Sequence, residues 1–101
     1  MATKKAILLE AITDQVEAFI GANSASSLSR VRKSKSEVEY NASYMNGITD
    51  NPVTGETIIS ADTEAKINSL VTTLNSKENG SISVSWSKQN QGIIQFKIMD
   101  N

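Results

Sequence analysis

Three observations in the 101-residue sequence predict an α+β fold: an antiparallel sheet of about four strands, with two helices packed on one face, in the order α-β-β-α-β-β. Apolar residues recur at helical spacing twice, over residues 4 to 20 and 62 to 76. They alternate with polar residues along three other stretches, which is the period of a strand with one buried face. Turn chemistry then links strands in pairs, around Pro52 and Gly55 and around Gly92. Two helices with one apolar stripe each and two hairpins with one apolar face each close most simply with both helices on the same side of the sheet. A first helix that packs on a neighbouring chain is the alternative arrangement.

The first helix places Leu8, Ala11, Ile12, Val16, Phe19 and Ile20 on one stripe, with Thr3 as N-cap and Gly21 as its stop. From Ala22 the chain turns small and polar, and the span 22–36 reads as a polar, basic connector inside a single domain of residues 1–101. Strict alternation follows from Glu37 to Tyr44. Val38, Tyr40, Ala42 and Tyr44 share one side, which assigns both tyrosines to the core, and Glu37, Glu39, Asn41 and Ser43 share the other. Pro52 and Gly55 make a tight connection from a strand ending near Asp50 to the stretch Glu56 to Ser60.

The second helix carries Ile67, Leu70, Val71 and Leu74 at i, i+3, i+4 and i+7. Asp62 and Glu64 occupy its first turn, where the helix dipole favours anions, and Lys77 stands at its end. The turn Glu78-Asn79-Gly80 leads into Ser81 to Ser87, in which every second residue is serine. The last strand runs from Ile93 to Met99. A three-residue loop at Asn90-Gln91-Gly92 puts Gln89 opposite Ile93, Trp86 opposite Phe96 and Val84 opposite Ile98, so that all the large apolar residues share a side. A two-residue loop would set Trp86 against Gln95, which the period of two rejects. The outer side is then Ser81, Ser83, Ser85, Ser87, Gln95 and Lys97.

Composition excludes several chemistries. The chain has no Cys and no His, hence no disulfide framework, thiolate nucleophile, His-dependent triad or Cys/His zinc site. Its five glycines stand singly, without the spacing of a phosphate-cradling loop. Hydrophobic residues make up 39% of the chain, enough for one thin core but with no surplus to line a deep apolar pocket. Glu37 and Glu39 read as lying on one face of a short exposed strand, with Lys35 just before them, where burial would not tune a catalytic carboxyl. The Asp50 to Glu56 loop lacks the spacing of a calcium loop. No enzyme, cofactor, metal or small-molecule substrate is therefore expected. Asn41-Ala42-Ser43 matches the glycosylation triplet but falls within a strand. Lys4 and Lys5 precede a short apolar run that Glu10 and Asp14 interrupt, and no run approaches a membrane span, so a cytoplasmic location without a membrane partner is the expectation.

Charge is unevenly distributed. The net charge is −1, yet residues 30 to 35 hold Arg30, Arg32, Lys33 and Lys35 with no anion, and residues 36 to 65 hold six carboxylates with no cation. The basic run has three readings: a solvated stretch that guards a strand edge, a phosphate-contacting segment, or head-to-tail association in which the basic segment of one copy meets the acidic region of the next. The second is opposed by a pI near 5.3 and by the lack of interleaved aromatics for base stacking. The serine-rich outer face reads first as the wet side of a sheet, and second as a flat surface for another subunit. The sequence thus points to a small non-enzymatic interaction protein that self-assembles or covers a partner surface, with Arg30, Arg32, Lys33, Lys35, Glu37 and Glu39 as the contact residues. Nucleic-acid binding through residues 30–35 is the alternative. The small size and the polar, Cys-free composition are typical of phage-encoded and accessory proteins, as a virion subunit or an inhibitor of a host protein.

Overall fold

The computed structural model describes residues 4–75 and 82–100. Its elements are α1 (Lys4–Ala22), β1 (Ser27–Ser34), β2 (Glu37–Ser43), β3 (Ile48–Asp50), β4 (Thr57–Ile59), α2 (Ala61–Asn75), β5 (Ile82–Lys88) and β6 (Ile93–Asp100). A four-stranded antiparallel sheet in the order β1-β2-β6-β5 carries both helices on one face. The core lies between these layers. Ile12, Val16 and Ile20 of α1 and Ile67 and Leu74 of α2 pack against Val38, Tyr40 and Ala42 of β2, Ile94, Phe96 and Ile98 of β6, and Ile82 and Val84 of β5. Phe19 meets Phe96 edge to face at 6.4 Å.

The α+β class and the four-stranded sheet agree with the sequence expectation, while two of the strands differ. Residues 22–36 are not simply a connector, because β1 lies within them and pairs with β2 from Ser27 opposite Ser43 to Ser34 opposite Glu37. Its eight residues are all exposed, so neither of its faces carries the apolar alternation by which strands are recognised, and it is held by main-chain pairing with β2 and by side-chain contacts of Arg30, Arg32 and Lys33. The strand expected to continue toward Asp50 instead ends at Ser43. Tyr44 takes a positive φ of 50°, the chain turns with Ile48 N–H donating to the Met45 carbonyl at 2.9 Å, and β3 and β4 form a separate two-stranded sheet. Tyr44 is therefore not a core residue. It is 43% exposed, and its hydroxyl donates to Asp50 Oδ2 at 3.0 Å, which raises its pKa above the usual value.

Other features match in detail. Trp86 faces Phe96 and Val84 faces Ile98, as the three-residue loop requires, with both Gln91 and Gly92 in the left-handed region. The connection Asn51 to Glu56 is closed by the Asn51 side chain, which accepts from Val53 N–H at 2.8 Å, and by Gly55 at φ 77°. Helix α2 begins at Ser60, whose hydroxyl accepts from Thr63 N–H at 3.2 Å as an N-cap. Helix α1 differs from the stop expected at Gly21: it runs through Gly21 to Ala22, and the chain turns left-handed at Ser24. The expected N-cap at Thr3, the cation Lys77, the Glu78-Asn79-Gly80 turn, Ser81 and the side chain of Leu8 lie outside the described residues.

The small β3–β4 sheet is tied to the main one through Thr57. Its buried hydroxyl donates to the Gln89 carbonyl and accepts from Gly92 N–H at 2.8 Å. Gly92 sits beneath the Tyr44 ring, where a Cβ would lie 2.3 Å from Tyr44 Cε1. Thr57→Val keeps the shape but leaves a buried amide N–H unsatisfied, so it should lower stability by about 1–3 kcal/mol. Urea unfolding of the two proteins checks this, and equal midpoints would show that the clamp contributes nothing.

Candidate interaction surface

Strands β1 and β5 are the outer strands of the sheet. Helix α1 lies mainly over β6 and β2, and α2 lies along β5, while α1 reaches β1 through the Glu10 side chain. By its register, Leu28, Arg30 and Arg32 point to the helix side, opposite Ala42, Tyr40 and Val38, whereas Val31 stands opposite Glu39 on the open side. Leu28 is 41% exposed and Val31 is 40% exposed. Pairing shifts register between Arg32 and Ser34, leaving Lys33 in a bulge. The turn at residues 35 and 36 is fixed by Ser36 N–H donating to Ser34 Oγ at 3.1 Å, and by Asp100 N–H donating to the Ser36 carbonyl at 2.7 Å.

The six residues singled out from the sequence come together at this edge but divide between two faces. On the helix side, Arg30 Nη2 donates to Glu10 Oε2 at 3.3 Å, and Arg32 Nη2 lies 3.7 Å from Glu10 Oε1. One carboxylate thus serves two guanidinium groups, while Asp14 and Glu17 of the same helix act with Glu10 on the neighbouring Tyr40 ring. Glu10 and both arginines are solvated, so each pair is worth under about 1 kcal/mol. Arg30 also lies 6.0 Å above the Tyr40 ring. On the open side, Lys33 Nζ is 3.7 Å from Glu39 Oε2, and Glu39 accepts a hydrogen bond from Gln95 Nε2. Glu37 is half-buried opposite Met99, and Lys35 is exposed in the turn.

The expectation that Glu37 and Glu39 lie on an exposed strand is corrected. β2 is an inner strand between β1 and β6, and Glu39 is only 8% exposed, because the cross-strand neighbours on its face close over it. Sequence reasoning passed over Glu10, which offers only a place on a helix surface as its signal. It also passed over Asn75. That residue follows Val71 by four on the apolar stripe of α2, which marks an amide on a covered face.

Asn75 governs the opposite edge. Its Nδ2 donates to the Val84 carbonyl at 2.8 Å, and its Oδ1 accepts from Val84 N–H at 2.7 Å. The outward main-chain groups of Val84 are thereby occupied, and Trp86 Nε1 donates to Asn68 Oδ1 at 3.0 Å along the same margin. The serine face is solvated at Ser85 and Ser87, with Lys97 exposed beside them. Among the described residues no group of three His, Cys, Asp or Glu could hold a metal ion, and no helix is long and apolar enough to cross a membrane. No family model matches the chain, and neither a curated protein nor a solved structure is significantly similar to it.

Two substitutions test this description. Asn75→Ala should cost about 1–2 kcal/mol in urea unfolding and speed amide exchange at Val84; an unprotected Val84 amide in the parent protein would contradict the clamp. Tyr40 is buried with its hydroxyl unpartnered, and burial raises its pKa above 10.0, opposed in part by Arg30. A folded-state pKa above the unfolded one stabilises the fold fully below pH 10, and that contribution is lost as pH rises through the folded value. Tyr40→Phe should therefore leave neutral-pH stability unchanged or raise it by about 1 kcal/mol, and should flatten the decline above pH 10 seen in pH-dependent thermal unfolding. A steeper decline in the variant would refute the assignment.

Proposed function

We propose that the protein is a non-enzymatic interaction module that binds an acidic surface of a partner protein through the β1 edge. The observation that carries this reading is the asymmetry of the sheet. At one outer strand α2 lies alongside and its Asn75 occupies the outward groups of Val84, and the other is exposed along its whole length while carrying Arg30, Arg32 and Lys33, with Lys35 in the adjoining turn. The four cations of this edge outnumber the carboxylates within the β1–β2 pair, Glu37 and Glu39, while Glu10 of α1 is shared by the two arginines and Asp14 and Glu17 act with it on the Tyr40 ring. Complementary charge steers encounter and selects among partners.

Copies of the chain are a weaker choice of partner. Antiparallel pairing of two β1 strands that keeps the helix side continuous brings the arginines close to one another or sets Leu28 against an arginine, and like charges set opposite each other oppose pairing. Such a module suits a subunit of a viral assembly or a small inhibitor of a host protein.

Polyglutamate and duplex DNA, titrated separately at about 50 mM salt, test the reading. Polyglutamate is expected to bind with an affinity that falls as salt rises, and the K35E variant, changed in the exposed turn, should bind at least about threefold more weakly at unchanged stability. Duplex DNA binding tighter than polyglutamate binding would replace the reading with a nucleic-acid module, and no response to polyglutamate would remove it.

A further inference from the structure

We propose that β1 accepts an extended acidic segment of a partner protein as an added strand, so that binding proceeds by main-chain pairing at the sheet edge; the inference rests on the reading of β1 as a protein-binding surface. An outer strand presents alternate N–H and C=O groups away from its neighbour, and these form a directional template for another strand. At β5 the matching groups of Val84 are taken by Asn75. At β1 no described strand pairs with the outer side, and all eight of its residues are exposed.

Side-chain chemistry then selects the occupant. The regular part of β1 available for pairing runs from Leu28 to Arg32, because the bulge at Lys33 interrupts the register. On the helix side, an added strand meets Arg30 and Arg32 two residues apart, with Leu28 beyond them. On the open side it meets Val31 between Ser29 and Lys33. Acidic residues spaced by two, with an apolar residue between them and another two places past the second, answer that pattern strand for strand. The same cations discourage a second copy of β1, so the feature that protects the edge from self-pairing also specifies what may pair with it.

The probe is a capped peptide reading Thr-Glu-Val-Glu-Thr-Val-Thr, titrated into the intact chain and followed by NMR and calorimetry. The added-strand mode requires that it bind more tightly than polyglutamate of equal charge, shift the β1 amides and slow their exchange. It also requires that N-methylation at the alternating residues facing β1 weaken it at least about tenfold, and that replacing both glutamates by lysine abolish binding. If polyglutamate and the N-methylated peptide bind as well as the parent peptide, strand addition fails while the acidic-surface reading stands. If none of the acidic probes binds, both fail. Peptide shifts confined to β5, or a chain that sediments as a dimer through β1, would likewise overturn the proposed mode.

Discussion

The architecture depends on how a two-helix layer is placed over a four-stranded sheet. Strands lie about 4.8 Å apart and packed helices about 10 Å apart, so two helices centred on the sheet would shelter most of its width. Here the layer is displaced. Asn75 reaches the outward groups of Val84, which draws the end of α2 to the β5 margin, and α1 accordingly lies over β6 and β2. β1 is what remains outside. The two edges of the sheet thus differ: at β5 Asn75 occupies the outward groups of Val84, and β1 is exposed throughout.

That displacement also explains where the electrostatics are concentrated. Beyond the shelter of α1, β1 has no apolar face to bury and can carry Arg30, Arg32 and Lys33 without desolvating them. Glu10, on the flank of α1, is the acidic neighbour both arginines reach on the helix side. On the open side, Glu39 sits low in the pleat beneath Lys33 and is held by Gln95. The acidic residues Asp50 and Glu56, by contrast, belong to the β3–β4 hairpin, and Asp62 and Glu64 to the start of α2. The separation of charge along the sequence is therefore only partly preserved in space, since Glu37 and Glu39 remain beside the cations.

Legibility from sequence tracks burial. Wherever one face is covered, periodicity reports it. The α2 stripe from Ile67 to Leu74 and the pairing of Trp86 with Phe96 were both accessible, because a shift of one residue would send every apolar side chain to solvent. β1 was not accessible, since a strand wet on both faces leaves no binary pattern. Tyr44 misled for a related reason. It continues the alternation of Val38, Tyr40 and Ala42, yet its backbone turns left-handed and ends the strand, and alternation alone does not report a change of backbone region. The basic residues of the candidate surface were visible as a charge run, but their division between two faces depended on knowing that residues 27–34 are extended.

The distinction between a guarded edge and a selective one turns on which partners the charges disfavour. Cations on an outer strand raise the cost of pairing with any strand that is itself basic, and they do little against a neutral strand whose side chains lie flat. Guarding alone would be served by any inward-pointing charge or by a bulge in mid-strand. In β1 the bulge falls at Lys33, near the end of the strand, so a regular stretch with ordinary pleating remains available from Leu28 to Arg32. The arginines on the helix side are spaced by two, and Glu10 supports them without neutralising both. Specificity is a difference between affinities, and in the proposed mode that difference would come from a regular main-chain template with Arg30 and Arg32 spaced by two along it.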